Sequence, residues 1–470
     1  MNYSTPNARR TFIKSLGFAA ASIGSVPAAA ATALSEDSMQ KTSGKPLFNM
    51  SGYGAPALEN VRVGIVGLGN RGMGALQRLL RIEGLEIVGL CDLRESQTRQ
   101  GLEIATKAGQ KPQVYHSHPE AWKKMCERKD IDLIYILTPW DLHTPQAVFA
   151  MNHGKHAFVE VPAATTLEEC WELVNTSEKT KKHCVQVENC CYDFFEMMVL
   201  NMSQQGFFGE ILHGEGAYIH DLADLFLGDR FYQKWELRQA VGKMGNLYPT
   251  HGLGPICQAM NINRGDQMDY LVSASTNDFT MAQLIAERAK TDPSLKEFVG
   301  KPVNGNMSTT TIRTVKGKTI VVQYDVSSAR PYSRIHLVSG TRGAALKFPD
   351  PPKIARGHEW VTPAEFKKLE EQFTPPIIRK IGEIAKKVGG HGGMDFLMDW
   401  RNFDCLRNGL AMDQDVYDAA LWSSITPLSM TSVANRSNSV DVPDFTRGHW
   451  KTNRPVDLSL QTGGTTGIKS

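Results

Sequence analysis

Two hydrophobic rhythms divide this chain. From position 61, short apolar runs alternate with segments whose apolar residues return every three or four positions. The runs are Val61–Val66, Leu85–Leu90, Val114-Tyr115, Ile131–Leu137, Lys155–Val159 and Cys184–Val187. Between them lie helical stretches through Leu76, Leu79 and Leu80, then over Glu95–Ala108, Pro119–Arg128, Thr144–Asn152 and Leu167–Thr180. Strands separated by helices predict an α/β unit with a parallel, doubly wound sheet over residues 60–190. From about Phe194 the rhythm changes. After a helix over Phe195–Gln204, β-rich segments follow in series: Ile211–His220, Tyr270–Ser275, Met307–Val315, Lys318–Val326, Tyr332–Ser339 and Gly343–Phe348. Helices intervene at Gly254–Met260 and Thr280–Ala289. This grammar predicts an α+β domain over 191–470 with a largely antiparallel open sheet. Two later helices, Asp395–Arg407 and Val416–Ser424, are expected to pack across its back.

The first strand and helix are joined by Gly67-Leu68-Gly69-Asn70-Arg71-Gly72, and the second strand ends in Cys91-Asp92, 20 residues past Gly72. A lone GxGxxG is weak evidence. Between a strand and a helix, and followed by an acid at this distance, it reads as a dinucleotide site. Gly67 allows the tight turn, Gly69 lets a pyrophosphate approach the backbone, and Gly72 lets the helix pack closely. The free N–H groups at the helix start face the phosphates. Asp92 accepts from a ribose diol and repels a 2′-phosphate, which favours NAD over NADP. In such sheets ligands bind at the C-terminal strand ends. Trp140, His143, Glu160, Glu188 and Asn189 all stand at strand ends of this kind.

The chain's 470 residues suffice for two domains, and its net charge of +3 is too small to imply a nucleic-acid or anionic-membrane partner. No apolar stretch is long enough to span a membrane in the mature protein. Residues 1–33 read as a leader. Arg9-Arg10 with Phe12 two places on form a twin-arginine pattern, followed by a mildly apolar segment and small-residue cleavage sites near Ala28–Ala30 and Ala31-Thr32-Ala33. That predicts export of a folded protein, periplasmic or secreted, already loaded with nucleotide. Residues 34–59 read as a linker laid over the first domain. The eight cysteines include no CxxC pair and read as small buried hydrophobes. The motifs call for no metal.

Together, GLGNRG, TPWDLH (138–143) and GKHAFVEVP (154–162) resemble the Gfo/Idh/MocA oxidoreductase family, which pairs a Rossmann domain with an open-sheet domain. That family usually ends its last motif in Glu-Lys-Pro, the lysine assisting hydride transfer; here Val161 stands in its place. The departure points to one branch. Glu160-Val161-Pro162, GAYIH (216–220), GNLYPTHG (245–252) and HGGMD (391–395) resemble glycoside hydrolase family 109, whose members are NAD-dependent hydrolases, typically α-N-acetylgalactosaminidases. The resemblance covers nearly the whole chain after the leader. It implies a catalytic cycle in which C3 of the sugar is oxidised, the C2 proton is removed, the aglycone is eliminated, water adds at C1, and C3 is reduced again. The paired carboxylates of an ordinary glycosidase are not needed.

Carried over by position, the resemblance assigns Asn70, Arg71, Asp92, Trp140, Asp141, Leu142, His143, Glu160, Val161 and Asn189 to NAD. It assigns Tyr248 and His251 to the active site, Tyr218 and Tyr332 to substrate binding, and Glu188 to a catalytic-site acid. Where the family places an arginine directly after a tryptophan to contact substrate, this chain has Trp235-Glu236-Leu237-Arg238, and Arg238 is taken to reach the same place. From the residues alone Tyr218 reads equally as strand core, Tyr332 as packing after Pro331, and Glu188 as a structural acid paired to a lysine. His391-Gly392-Gly393 reads as a loop before a helix and is left out of the site. The expected substrate is a glycan or small glycoside ending in N-acetylgalactosamine, α-linked. A homo-oligomer through an exposed sheet is a further implication of the resemblance. The alternative is an exported NAD-dependent sugar oxidoreductase, which the missing lysine disfavours. A sugar-binding protein that keeps NAD structurally is a third reading.

Overall fold

A computed structural model describes residues 47–469. The leader, the first part of the linker and Ser470 lie outside the described residues. Six strands form a parallel sheet: β1 (Val61–Val66), β2 (Leu85–Cys91), β3 (Gln113–Tyr115), β4 (Leu133–Ile136), β5 (His156–Val159) and β6 (Cys184–Gln186). Their order is β3-β2-β1-β4-β5-β6. The strands are apolar on both faces because helices cover both; Val63, Ile65, Leu133 and Ile134 are fully buried. Of the covering helices, Leu167–Thr180 starts where sequence places it, on a reciprocal cap between Thr166 and Glu169.

The second sheet has nine strands: β7 (Ile211–Ile219), β8 (Met268–Ser275), β9 (Ser308–Thr314), β10 (Thr319–Asp325), β11 (Leu337–Gly340), β12 (Gly343–Leu346), β13 (Lys353–Arg356), β14 (Glu359–Trp360) and β15 (Val440–Asp441). Their order is β14-β13-β12-β11-β7-β10-β9-β8-β15. All neighbours are antiparallel except β7 and β10, which run parallel. The predicted strand over Tyr332–Ser339 begins only at Leu337. Before it Arg334 turns inward to Glu196 and Asp193, at 2.6 and 3.1 Å, and Ile335 and His336 take positive φ to allow it. Helices Pro363–Phe373 and Pro376–Val388, which the strand-dominated reading passed over, follow β14.

The two late helices pack against the sheets. Helix Met394–Asn408 is buried without a break from Met394 to Leu406 and packs on the parallel sheet, with Phe403 against Phe158 at 5.5 Å between ring centres. Helix Val416–Ala434 continues ten residues past Ser424, through Pro427, and ties the two sheets. Ser423 bonds Gln186 in β6 at 2.9 Å, and Ser432 accepts from the backbone of Ser273 in β8 at 2.8 Å. The polar residues that suggest an exposed face are paired internally: Asp399 with Arg78, Arg401 with Asp413, and Asp418 with Arg264. The described end of the linker lies on this seam as well as on the first domain. Leu47 N–H donates to Glu178 at 3.0 Å, and Met50 N–H to the Tyr417 hydroxyl at 3.1 Å. Among the described residues no helix is long and apolar enough to cross a membrane. All eight cysteines are buried.

Candidate active site

The strand ends of the parallel sheet face β7 and the helix beginning at Thr250 across a cavity of about 600 Å³. At its first end lies the glycine turn after β1. Gly67 has φ +87°, and a Cβ there would stand 2.4 Å from the Leu137 carbonyl oxygen. A Cβ on Gly72 would meet the Gly67 carbonyl oxygen at 1.9 Å, so the close approach is of helix to turn. At Gly69 the nearest atom to an added Cβ is 4.0 Å away, leaving the backbone open to the cavity. Asp92 fixes the turn: it accepts from Leu68 N–H at 2.8 Å and from Arg94 N–H at 2.9 Å and Nε–H at 3.2 Å. A carboxylate has about four acceptor positions, so room remains for a ribose hydroxyl. An open glycine backbone, a free helix start and an acid at the second strand fit a dinucleotide.

An ionic network closes this end. Arg71 donates to Glu160 and, at 3.0 Å, to Asp395. Glu160 also accepts from Val161 N–H at 2.8 Å, and Asn189 donates to Asp395 at 2.6 Å. His391 lies 3.0 Å from the same carboxylate, and Arg78 lies 3.4 Å from it. Burial alone would raise the Asp395 carboxyl; the hydrogen bond from His391 and the charges of Arg71 and Arg78 outweigh it and hold the group far below the usual carboxylate range. Each nitrogen of His143 is 2.7 Å from a backbone carbonyl, of Pro162 and of Thr138. The ring therefore clasps two strand-end loops, with both nitrogens engaged.

The other end is aromatic. Tyr218, Tyr248 and His251 form a cluster with ring centres 4.9–5.2 Å apart. Trp140 continues it, 5.9 Å from Tyr248 and 5.7 Å from Trp235. The cluster forms because the Thr250–Ala259 helix meets β7 glycine to glycine: a Cβ on Gly216 would stand 2.1 Å from the Gly252 carbonyl oxygen. Glu188, fully buried, lies 2.7 Å from His251 Nδ1. Burial would raise its carboxyl, but the His251 charge, the bond to His251 and the Cys190 N–H bring it below the ordinary value. In the neutral imidazole an ionised Glu188 makes Nδ1 the donor and Nε2 the acceptor; in the imidazolium it pairs with the charge. Burial, with the charge of Glu160, pushes the Tyr248 phenol well up, so it stays a donor.

Most of the residues expected from sequence line this cavity: Gly67, Gly69, Asn70, Arg71, Asp92, Trp140, Leu142, His143, Glu160, Val161, Asn189, Tyr218, Tyr248 and His251. Others stand elsewhere. Glu188 lies behind His251 and not on the wall, paired to a histidine and not to a lysine. Asp141 is exposed outside the wall. Tyr332 sits at the rim, 5.0 Å from the His220 ring, and accepts from Arg334 at 2.8 Å. Arg238 is not in the site: it points to solvent and pairs with Glu297 at 2.7 Å through both guanidinium nitrogens. Residues two apart on a helix face about 200° from one another, and here the inward one is Glu236. Sequence reasoning left out His391, His220, Trp235 and Glu236, all on the wall. For His391 a signal existed, an acid four residues on at Asp395 within a glycine-rich loop.

The family described as Glycosyl hydrolase 109, C-terminal domain, matches residues 192–452, and the oxidoreductase family with an NAD-binding Rossmann fold matches residues 61–189. An alpha-N-acetylgalactosaminidase of Bacteroides fragilis is 49% identical over 408 residues, 85% of this chain and 95% of the relative. A glycosyl hydrolase family 109 protein of Porphyromonas gingivalis is 47% identical over 413 residues, 84% of this chain and 86% of its own. Among solved structures, levoglucosan dehydrogenase in complex with NADH and L-sorbose superposes with a TM-score of 0.60 at 18% identity, covering 82% of this chain and 100% of that one. Scyllo-inositol dehydrogenase from Lactobacillus casei, with bound NAD(H) and scyllo-inositol, gives 0.56 at 15%, covering 81% and 99%. At these identities the structural likeness concerns the fold. The six-stranded domain is an NAD-binding Rossmann domain.

Proposed function

The chain belongs to glycoside hydrolase family 109 and is an NAD-dependent glycoside hydrolase, and we propose from that premise that it hydrolyses terminal α-linked N-acetylgalactosaminides by an oxidation–elimination route, after export. The observation that carries the route is the His251–Glu188 pair at 2.7 Å beside Tyr248, with Val161 where a dehydrogenase of this superfamily would hold its lysine. Bound NAD supplies a reversible hydride acceptor for C3 of the sugar. Gly69, Arg71, Asp92 and Asn189 would hold it at the strand ends.

The chain's own groups handle the protons. His251 Nε2 takes the proton of the C3 hydroxyl, while Glu188 holds Nδ1–H and stabilises the imidazolium. The C3 ketone acidifies C2; after the first proton has passed from His251 to solvent through the cavity, Nε2 is free again and takes the C2 proton. The Tyr248 phenol donates to the developing C3 oxyanion. Departure of the aglycone oxygen needs a proton, and His391, exposed on the wall beside Asp395, is the group assigned to give it. Water adds at C1, the proton transfers run in reverse, and no net redox change remains.

Turnover in heavy water tests the route. Product should carry deuterium at C2, C2-deuterated substrate should react more slowly, and NADH should not accumulate. Cleavage with neither C2 exchange nor a C2 or C3 isotope effect would overturn the reading. Export rests on Arg9-Arg10 and the segment after them. Replacing both arginines by lysine should leave precursor inside the cell, and unchanged export would remove the twin-arginine assignment.

A further inference from the structure

Four acids at the cavity are held by the protein: Asp92 by Leu68 and Arg94, Glu160 by Arg71, Glu188 by His251, and Asp395 by Arg71 and Asn189. Glu236 differs. It is half-buried on the aromatic end of the wall with Tyr218, Trp235 and Tyr324, yet its carboxyl meets no hydrogen-bond or ion-pair partner among the described residues. The one positive charge that eases its ionisation is Arg230, which is exposed and outside salt-bridge reach. Burial pushes the carboxyl up to about 8.

The inward orientation is imposed by the chain. Gln233 and Lys234 both take left-handed backbone, φ +53°, immediately before the Trp235–Ala240 helix. Lys234, itself buried, donates through Nζ to the carbonyls of Leu227 and Gly228 at 2.9 and 3.0 Å and pins the turn. The turn sets the phase of the short helix, so that Glu236 lies on the cavity wall while Arg238 points outward to Glu297. A carboxyl on the cavity wall with no protein partner keeps its hydrogen-bonding positions for water or for a ligand that displaces it.

We infer that Glu236 is a specificity residue that contacts the sugar, and that as a carboxylate, the form a donor partner favours, it selects a substituent able to donate a hydrogen bond, a hydroxyl or an ammonium, over one that can only accept. The inference rests on the glycosidase reading above and extends it to the substrate. An arginine, which has five donors and no acceptor, would select the opposite polarity at this point.

The test uses full-length holoenzyme with Glu236→Gln and Glu236→Ala. Binding of galactose, galactosamine, N-acetylgalactosamine and their 4- and 6-deoxy forms is read by quenching of tryptophan fluorescence, with Trp235 adjacent. Hydrolysis of the matching aryl α-glycosides is read alongside. For the preferred sugar, Glu236→Ala should weaken binding and raise KM at least about tenfold, with bound NAD unchanged because no cofactor-end group touches Glu236. Glu236→Gln keeps the shape and should lose most on the donor-bearing sugar. A hydroxyl partner is identified if one deoxy sugar is blind to both substitutions. An ammonium partner is identified if galactosamine loses most and its binding weakens as pH falls below about 8, through the carboxyl's titration. Binding and KM within twofold of wild type for every sugar in both variants would overturn the inference. Sugar binding that depends on Glu236 in a protein hydrolysing no aryl glycoside would support the inference and count against the glycosidase reading alone.

Discussion

The two ends of the cavity are built on opposite principles. At the cofactor end every charge has a partner inside the protein: Asp92 holds the glycine turn, and Arg71, Glu160, Asn189 and Asp395 hold one another. At the sugar end the walls are aromatic, and polar groups are either paired in tandem, as Glu188 with His251, or left facing the cavity, as Glu236. A closed network gives a rigid, preorganised seat for a molecule that stays bound. Groups with an unused donor or acceptor position are what a passing substrate can use. On the proposed reading retention belongs to the first end and turnover to the second, and substitutions at the two ends should separate in the same way.

The largest expected effect breaks the sugar end alone. His251→Ala should reduce kcat by roughly 10²–10⁴-fold, the range of general acid–base catalysis, while mass spectrometry still finds NAD at full occupancy. Nucleotide loss in this variant would erase the division between the ends. Next is the point where they meet. Asp395→Ala leaves Arg71 and Arg78 with one carboxylate each and releases Asn189 and His391. Loss of one partner from a buried ionic network costs roughly 3–5 kcal/mol, so urea unfolding should shift to clearly lower concentration, with activity and NAD retention falling together. An unchanged midpoint would mean that the network is not holding the two domains.

The turn of the cofactor end is a smaller lever. Asp92→Ala removes charge-assisted bonds worth about 1.5–3 kcal/mol each, so NAD should dissociate about tenfold faster or more, with kcat recovered at saturating NAD. If kcat stays low under saturation, Asp92 matters for more than retention. The smallest effect sharpens the assignment within the Trp235–Ala240 helix. Arg238 pairs with Glu297 with both side chains about half exposed. Such pairs contribute little, and Arg238→Ala should change stability by no more than about 0.5 kcal/mol and leave KM alone. A rise in KM would return Arg238 to the site and weaken the role given to Glu236.

The sequence by itself determined what depends on local pattern. Apolar runs of five or six residues alternating with helical spacing can only be buried strands covered on both faces. GLGNRG with Asp92 after it can do little else than turn a strand into a helix against a phosphate. The motif resemblance added Tyr248, His251 and the valine at 161. Tertiary structure decided everything that depends on partners distant in sequence. Helix Met394–Asn408 carries Asp395, Asp399, Arg401 and Asp404, which composition places on a surface; it is buried because Arg71, Arg78 and Asp413 meet those charges. His391 reads as loop until Asp395 and Asn189 are seen beside it. Glu188 finds its partner only when the Thr250 helix brings His251 to it across 63 residues of chain. Glu236 and Arg238 are two letters apart, and no local rule says which faces the cavity. The left-handed turn at Gln233 and Lys234 decides it, because helix phase is set by what lies on either side of the helix and not by the helix alone.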